Sequence, residues 1–525
     1  MTLGDLEMFW RFAGGIRRYL KQPLTVDDCR RIVAQAEQQR DDNFLTLLRR
    51  AVYANPRSPY RRLLEHGRIE YGDIERDVRL DGVESTMGRL YSAGIHLGFD
   101  EFKGNKRIER PGLSLHVEAG DFDNPLLRRD FEVESGGSTG ARRRMAVDLD
   151  ALVYDSAVRR LFYEGAGVLD RPQGLWRPVP PGSSGIKHSL RAAKFGRPVE
   201  RWFSPTAWQW TGGMWPSAAL TSIAVGAGRL AGGVVPYPEH VPLTEPETVA
   251  RWVAAKSAAG TPALLSLPAG SGVRVARAAR KEGLSLQGAV FELGGEAITD
   301  AKRREVEASG ATTINCYALS ETGGLGVGCL HRSAIDEVHL ISGKVAVNQH
   351  TVSTPDGTEL EALLLTTLHP TTPKLMLNVD IGDYGVTPSG NCGCAMEKLG
   401  FRQRLHTIRS YEKLTAGGMH FTGSNVVAML EEVLPSRHGG APGDYQLVEE
   451  EQDGVSRVSV VVSPRVFLRD ADQVTATILD YLASDSRGAK MMADQWRQTG
   501  VLEVVRREPH TTAAGKTPPI RVVRR

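Results

Sequence analysis

The sequence has few cysteines, little net charge and no long apolar run. Its five cysteines are scattered through 525 residues, too sparsely for the disulfide framework of a secreted scaffold, so a cytoplasmic location is expected. The formal net charge of +3 gives no general case for binding nucleic acid or a membrane surface. Because no stretch approaches about 18 consecutive apolar residues, no membrane span is expected, and charged residues interrupt the first stretch too early for a signal peptide.

The composition is that of a folded chain of several domain-sized units. Hydrophobic residues make up 41% and charged residues 24% of the sequence, which excludes a wholly disordered or collagen-like chain. At about 150 residues per unit, the length allows roughly three to four units, each able to bury a core.

Apolar spacing divides the chain into a helical start, a long alternating region and a smaller terminal unit. Residues 1–66 show helical periodicity, with Thr25 as the expected N-cap. Further on, short β-type runs such as PALLSL and AVFELGG alternate with helical runs, which predicts βαβ units and a largely parallel sheet. The predicted fold is therefore α/β. A large N-terminal domain, residues 1–403, has mixed and parallel sheets under the helical layer, and a small mobile α+β domain follows at residues 404–525.

Four short segments carry residue types suited to binding a nucleotide. The Gly/Ser run at residues 135–140 offers amides and hydroxyls to phosphate oxygens, although it lacks the Gly-Lys-Ser/Thr ending of a Walker loop. YALSE at residues 317–321 ends a strand-like run with a hydroxyl and a carboxylate, the groups that serve phosphate and Mg²⁺. Asp383 follows an extended run, and Lys516 lies in a terminal GK turn. Taken singly, such segments are more often ordinary loops, capped turns or solvated charges.

The order of these segments resembles that of the adenylate-forming, or acyl-activating, enzyme superfamily. The Ser/Thr/Gly loop is followed by GGEA at residues 294–297, by YALSE about twenty residues later, by IGD at 381–383 and by the terminal GK. FELGGEAITDAKRREVE is similar to the GAEP segment and following helix of the phenylacetate–coenzyme A ligase branch, and YALSETGGLGVGC is similar to its YGLSE block. Acyl-protein synthetases are relatives of that branch.

The resemblance implies roles for residues around ATP and Mg²⁺. Lys516, carried by the C-terminal domain, would bridge the substrate carboxylate and the α-phosphate during adenylation, and Glu321 would hold Mg²⁺. The other implied contacts are to the phosphates from Ser135, Ser138, Thr139, Gly140 and Ser320, to adenine from Gly295, Glu296, Ala297 and Tyr317, and to ribose from Asp383 and Arg402.

The hinge between the two domains departs from the family pattern. The family places an acidic residue or a lysine shortly after the ribose-binding arginine, where this chain has Arg404 or Leu405. Adenylation is therefore better supported than the domain rotation that acyl transfer requires. The alternative is a nucleotide-binding pseudo-enzyme or scaffold of the same fold, against which the joint presence of Glu321, Asp383, Arg402 and Lys516 argues.

Two cysteines are candidates for a metal site. Cys392-Gly-Cys394 resembles the CPC pair of phenylacetate ligases, which is accompanied upstream by residues similar to Cys329 and His339, with His331 as a substitute. Four such ligands form a closed tetrahedral zinc site. Free buried thiols explain the same cysteines equally well.

The resemblance implies a carboxylic acid as substrate and, as acyl acceptor, coenzyme A, a carrier protein or an amine. Five aromatic residues occupy the region that lines the acyl pocket in these ligases: Trp202, Phe203, Trp208, Trp210 and Trp215. They favour an aryl acid, although core packing explains clustered tryptophans equally well. Neither nucleic acid nor a membrane is an expected partner, and a homodimer is left open.

Overall fold

The computed structural model gives the fold of most of the chain. It describes residues 14–104, 106–127, 131–134, 144–179, 184–205, 215–230, 235–319, 321–353, 359–410, 423–452, 455–485, 493, 497, 502–512 and 515–523. Ser135, Ser138, Thr139, Gly140 and Ser320 lie outside the described residues, as do Trp208 and Trp210. None of the described helices combines the length and the apolar character needed to cross a membrane.

The large unit begins with helices and then builds one large sheet. Its helices are α1 (Val26–Gln38), α2 (Arg40–Leu47), α3 (Pro59–His66), α4 (Tyr71–Ser92), α5 (Phe99–Phe102), α6 (Ala151–Gly165), α7 (Ser184–Lys194), α8 (Trp215–Leu230), α9 (Pro246–Ala258), α10 (Ala269–Lys281), α11 (Asp300–Glu307) and α12 (Ala395–Lys398). Its strands are β1 (Ile108–Arg110), β2 (Leu113–Leu115), β3 (Phe131–Glu134), β4 (Arg144–Val147), β5 (Gln173–Trp176), β6 (Arg201–Ser204), β7 (Pro238–His240), β8 (Leu264–Pro268), β9 (Val290–Gly294), β10 (Thr312–Leu319), β11 (Gly323–Gly328), β12 (Val338–Leu340), β13 (Val345–Ser353), β14 (Glu359–Thr367), β15 (Val379–Val386) and β16 (Arg404–Ser410).

The first long helix begins where its capping residues predict. The Thr25 side chain accepts a hydrogen bond from the backbone of Asp28, whose carboxylate accepts one from the backbone of Thr25. The buried residues of α1 recur every three to four positions, so one face packs against α6 in a shared core. On the same helix, Glu37 accepts a hydrogen bond from Ser342 Oγ at 2.6 Å. The helical layer is thereby tied to the loop that precedes β13.

The large sheet has a parallel half and an antiparallel half. Its twelve strands run in the order β13-β14-β15-β16-β12-β11-β10-β9-β8-β5-β6-β7. In this order, β10, β9, β8, β5, β6 and β7 are mutually parallel, and they form the parallel half. From β10 through β11 to β13, each strand pairs antiparallel with the next. This arrangement confirms the predicted α/β class.

Helices cover both faces of the parallel half. Leu264 and Val290 share a core with α6 and α7 on one face, whereas Leu265 and Phe291 share a core with α9 and α10 on the other. Successive strand residues point to opposite faces, so both faces of β8 and β9 are buried. That burial explains why these strands appear in the sequence as continuous apolar runs.

The C-terminal unit has a sheet and a core of its own. Its elements are α13 (Gly423–Ala428), a π-helical turn (Met429–Val433), α14 (Leu434–His438), β17 (Tyr445–Gln452), β18 (Val455–Val462), α15 (Ala471–Asp485), β19 (Leu502–Arg506) and β20 (Ile520–Val523). The strand order is β19-β18-β17-β20, with an antiparallel β17–β18 hairpin and a parallel strand on each side of it.

The large sheet continues past the predicted boundary at residues 403 and 404. Strand β16 pairs with β12, with Leu405 opposite Val338, and with β15, so the large unit extends at least to Ser410. Arg404 pairs with the buried Glu337 at 2.5 Å, and Leu405 is fully buried. Arg404 and Leu405, where the sequence analysis placed the hinge, are thus strand residues of the large sheet, and the position of the hinge stays a prediction.

Asn378 joins the helical layer to the large sheet just before β15. It is fully buried and has a left-handed backbone with φ +48°. Its side-chain amide donates to the carbonyl oxygens of Met87 at 2.8 Å and Ile95 at 3.1 Å. Its backbone N–H donates to Thr366 Oγ1 at 3.0 Å. Asn378 therefore holds the end of α4 against β14 and β15.

Replacing Asn378 by alanine should lower the free energy of unfolding by about 2–4 kcal/mol. The change leaves two buried carbonyl groups without a donor and puts a Cβ-bearing residue without a local polar bond in the left-handed region. Asn378→Gly loses the same amide but tolerates the backbone, so its loss should be smaller by about 1 kcal/mol. Urea denaturation of the two variants separates the contributions, and equal losses would show that backbone strain plays no part.

Candidate active site

The carboxyl ends of two parallel strands bring candidate residues to one edge of the sheet. Gly294 at the end of β9 lies opposite Cys316 of β10, so Gly295 and Tyr317 follow side by side. Ligands of open α/β sheets bind outside this edge. Strand β15 adds Asp383, whose Oδ2 accepts a hydrogen bond from the Tyr317 hydroxyl at 2.8 Å.

In the hydrogen bond between Tyr317 and Asp383, the phenol is the donor and the carboxylate is the acceptor. Burial raises the pKa of Tyr317, and the neighbouring Asp383 carboxylate raises it further, so the phenol stays protonated and donates. Among the described residues, no hydrogen bond to Asp383 Oδ1 is found. That second oxygen is an acceptor suited to a ligand hydroxyl.

Lys516 of the C-terminal unit lies directly against Gly295. A Cβ atom built on Gly295 would lie 2.9 Å from Lys516 Cε and 3.3 Å from its Nζ, and the glycine has φ +79°. Only glycine therefore fits at this position with the lysine in place. The lysine sits in a tight turn in which the Lys516 carbonyl accepts from Thr512 N at 2.7 Å. Ser271 of α10 donates to the Gly515 carbonyl at 3.2 Å and holds the turn against the large unit.

Glu296 is buried in the loop after β9. Its Oε2 accepts from Gly270 N at 3.1 Å and lies 3.6 Å from Lys302 Nζ, which reaches Glu431 of the C-terminal unit at 2.7 Å. Burial raises the pKa of Glu296, while Lys302 and Lys516 oppose the rise. The other oxygen, Oε1, is buried without a hydrogen-bond partner among the described residues. The loop thus offers an unused acceptor next to Gly295.

The structure does not bring Arg402 and Asp383 together. Asp383 lies opposite Ser410 at the carboxyl end of β16, whereas Arg402 is exposed and precedes the strand. Eight residues of extended chain separate Ser410 from Arg402, roughly 26 Å. The arginine beside this end of the sheet is Arg409, which lies opposite Tyr384.

The Arg409 side chain reaches the loop after β9. It contacts Asp336 Oδ2 at 2.7 Å and donates to the Ile298 carbonyl at 3.3 Å. Arg409 was not predicted from the sequence, because its place beside Asp383 depends on the antiparallel register of β16 with β15.

Glu321 already has a cationic partner. Lys103, which follows α5, forms an ion pair with Glu321, whose side chain is only 7% exposed. Lys103 also lies over the Phe99 ring, 4.9 Å from its centroid. The sequence analysis missed Lys103, since nothing in the local sequence links it to a carboxylate 218 positions away.

Cys329, His339, Cys392 and Cys394 form a compact cluster. Their candidate ligand atoms all lie within 4.8 Å of one another. The sulfur atoms of Cys392 and Cys394 lie 3.3 and 3.2 Å from His339 Nε2. These separations are close to the ligand-to-ligand distances of about 3.5–3.8 Å that a tetrahedral zinc site requires. His331, the substitute ligand, contacts the carbonyl of Cys392 at 3.0 Å instead.

The chemistry of this donor set also fits zinc. His339 Nδ1 lies 2.5 Å from the Phe401 carbonyl, which can only accept, so Nδ1 carries the proton and Nε2 presents its lone pair to the sulfurs. Burial opposes ionisation of Cys394, but backbone N–H groups of the following helix prevail and lower the pKa of its thiol. One ligand histidine in the required tautomer and one readily ionised thiol are therefore present.

The aromatic residues near the predicted acyl pocket are core residues where they are described. Trp202 and Phe203 on β6 are fully buried, and the Trp202 indole donates to the Arg177 carbonyl at 2.8 Å. Their packing explains them without a ligand. The side chain of Trp215 lies outside the described part of the chain.

Comparisons with known proteins find similarity in solved structures only. No protein-family model matches the chain, and no curated protein matches it. A 2-hydroxyisobutyryl-CoA ligase in the postadenylation state is 14% identical over 96% of this chain and 91% of its own, with a TM-score of 0.48. ATP-bound MatB from Rhodopseudomonas palustris is 14% identical over 77% and 67%, with a TM-score of 0.42. The O-succinylbenzoate coenzyme A synthetase from Bacillus subtilis, in complex with AMP, is 12% identical over 77% and 71%, with a TM-score of 0.41.

Proposed function

We propose that this protein activates a carboxylic acid with ATP, forming an acyl-adenylate and pyrophosphate, as a member of the adenylate-forming superfamily close to its phenylacetate–coenzyme A ligase branch. The observation that carries the proposal is the position of Lys516 against Gly295, beside the Tyr317–Asp383 pair at the carboxyl edge of the sheet. A cation from a separate unit thus lies where a nucleotide would bind.

The residues at the carboxyl edge of the sheet form two groups, one for the adenine and one for the ribose of a nucleotide. Gly295, Glu296 and Ala297 with Tyr317 would frame the adenine, and the free Glu296 oxygen suits an amino-group donor. Asp383 would accept from a ribose hydroxyl through Oδ1. We place Arg409 next to it, in the role that the sequence analysis gave to Arg402. Ser135, Ser138, Thr139, Gly140 and Ser320 remain the proposed phosphate contacts.

Lys516 would act on the developing bond. Bringing a carboxylate to the α-phosphate places two anions together, and a fixed cation between them lowers that repulsion and steadies the charge that develops on the phosphate oxygens. Because the lysine belongs to the C-terminal unit, its withdrawal would leave room for an acyl acceptor. We propose a thiol, of coenzyme A or a carrier protein, or an amine as that acceptor.

Glu321 would hold the Mg²⁺ that accompanies ATP, which neutralises charge on the phosphate oxygens. Its carboxylate is a suitable donor for a hard cation, but it already forms an ion pair with Lys103. Lys103 must therefore move aside, and its ammonium would then be available to the phosphates. The same ion pair favours the second candidate function, a nucleotide-binding protein that does not turn over, if Lys103 never leaves.

We also propose one structural zinc ion on Cys329, His339, Cys392 and Cys394. The cluster joins the loop after β11 to the segment before α12, so it would stabilise the approach to β16 rather than take part in the chemistry.

Lys516→Ala should slow acid-dependent pyrophosphate exchange by roughly 10²–10³-fold, the usual effect of deleting one preorganised charge at a transition state, with ATP binding nearly intact. Lys281→Ala, at an exposed position on α10, is the matched control and should exchange at the wild-type rate. Exchange by the Lys516 variant at the wild-type rate would remove this lysine from the mechanism.

Lys103→Met should lower the Mg²⁺ concentration that gives half-maximal exchange by roughly 3–10-fold, because the ammonium no longer competes for Glu321. Lys106→Met, which removes an exposed lysine 3.7 Å from Asp100, should leave the Mg²⁺ titration unchanged. A Mg²⁺ requirement that the Lys103 variant does not alter would contradict the proposed competition at Glu321.

Protein purified without chelators should contain about one equivalent of zinc by elemental analysis, and Cys392→Ser should lose metal and melt at lower temperature while still binding ATP. Cys29→Ala changes a buried cysteine outside the cluster and should keep its metal. Zinc-free wild-type protein would leave the four residues as packing residues.

A further inference from the structure

A cluster of cations lies in the interior beneath the proposed site, between the facing helices α6 and α7. It consists of Arg159, Arg177, Lys187 and Arg191, and we call it the cationic cluster. Its three arginines are each no more than 8% exposed. Asp155 and Arg159 are one turn apart on α6, as are Lys187 and Arg191 on α7, so the two helices present charged rows to each other.

One buried carboxylate lies among these cations. Glu292 on β9 is fully buried, forms an ion pair with Arg159, and accepts hydrogen bonds from Tyr163 at 3.1 Å and Ser266 at 2.7 Å. The other nearby carboxylate, Asp155, is bound by Lys344 at 2.6 Å. The charge of Glu292 is thus balanced by Arg159, and it leaves no negative charge for the other cations.

Arg177 and Arg191 have no such partner. Within the described part of the chain, neither lies within 4 Å of a carboxylate. Arg177 donates to Ser266 Oγ at 3.2 Å, and Arg191 contacts His188 Nδ1 at 3.0 Å and donates to the Lys187 carbonyl. Burial, together with the charges of Arg159 and Arg191, lowers the pKa of Arg177 to about 10 against an opposing effect of Cys316. Burial also lowers the pKa of Arg191, and the charge of Asp155, which itself pairs with Lys344, opposes that shift only in part. Buried positive charge that the described carboxylates balance only in part is costly unless an anion joins it.

Two further polar groups at this place lack a hydrogen-bond partner among the described residues, and one of them, His188 Nε2, lies 3.8 Å from Glu292 Oε2. Gln173 Nε2 and His188 Nε2 are buried without a hydrogen-bond partner among the described residues, and Gln173 is 6% exposed. Both line a small cavity of about 10 Å³ together with Arg159, Arg191 and Ser266. The cavity has room for one water or one ligand oxygen, so a larger group enters only if the long arginine side chains move.

The cationic cluster lies close to the carboxyl edge of the sheet, where Gly295 and Tyr317 are found. Glu292 precedes Gly295 by three residues of β9, roughly 10 Å along an extended strand. On the other side, a Cβ built on Gly323, two residues after Glu321, would lie 3.1 Å from Lys344 Nζ and 3.2 Å from Asp155 Oδ2. The cationic cluster is therefore within reach of the far end of an acid whose reacting carboxylate lies near Lys516.

We propose that the acid substrate is a dicarboxylic acid, whose second carboxylate binds Arg177 and Arg191. This inference rests on the proposed adenylating function and names its substrate class. It does not depend on the aryl acid that the tryptophans favour, which stays a prediction, because Trp202 is a core residue and Trp208 and Trp210 lie outside the described residues. Bidentate guanidinium–carboxylate pairing would supply the missing partner.

The test compares each dicarboxylic acid from malonate to suberate with the monocarboxylic acid of equal chain length. Binding is measured by calorimetry on the full-length protein with the α,β-methylene analogue of ATP, and activation by pyrophosphate exchange. At least one dicarboxylic acid should bind ten-fold or more tightly than its monocarboxylic match. If none does, the inference is overturned, even where a monocarboxylic acid supports exchange. Preferential binding without any exchange would support the cluster's role while refuting the proposed adenylation.

Arg191→Gln distinguishes a binding role from a structural one. Removing a buried charge that has no carboxylate nearby should raise the melting temperature of the ligand-free protein. It should also weaken binding of the preferred dicarboxylic acid by about 10–100-fold and leave binding of the matching monocarboxylic acid unchanged. Arg31→Gln removes a guanidinium 67% exposed on α1 and should change neither property. A lower melting temperature with unchanged dicarboxylate preference would show that Arg191 serves packing alone and overturn the proposal.

Discussion

The contact of Lys516 with Gly295 is the constraint on which the candidate site depends. It joins a turn of the small unit to the end of a strand of the large one, and it is compatible only with a residue that has no side chain. Two ion pairs hold the units in that position. Lys302 reaches Glu431 at 2.7 Å, and Arg277 of α10 reaches Asp444 at 3.3 Å. A change in the docking of the small unit therefore moves the cation without disturbing the sheet edge.

The sequence was sufficient to predict the α/β class and the sheet edge, for a physical reason. Strands buried on both faces are continuous apolar runs, and the loops that follow parallel strands fall at one edge. The strand-like runs that precede GGEA and YALSE therefore predict that these two segments lie at the same edge, and β9 and β10 are indeed adjacent. The roles given to Gly295, Tyr317, Asp383 and Lys516 remain predictions, although the structure brings them to one place.

The sequence could not predict contacts that depend on antiparallel register or on distant chain segments. Arg402 and Arg409 lie in one short stretch, and only the pairing of β15 with β16 shows which arginine faces the Asp383 end. Lys103 reaches Glu321 from a short loop after α5 that carries no motif. Arg159, Lys187 and Arg191 of the cationic cluster lie on α6 and α7 with charged neighbours one turn away, yet such spacing is equally typical of a solvated face. Only the packing of the two helices shows that these residues face the interior.

The pairing of β20 determines how firmly the turn with Lys516 is held. This last strand pairs in parallel with β17, opposite Leu447 to Glu450, and the turn that carries Lys516 lies just before it. Loss of this four-residue pairing would free the turn and Lys516 while leaving the large sheet and the β17–β18 hairpin intact.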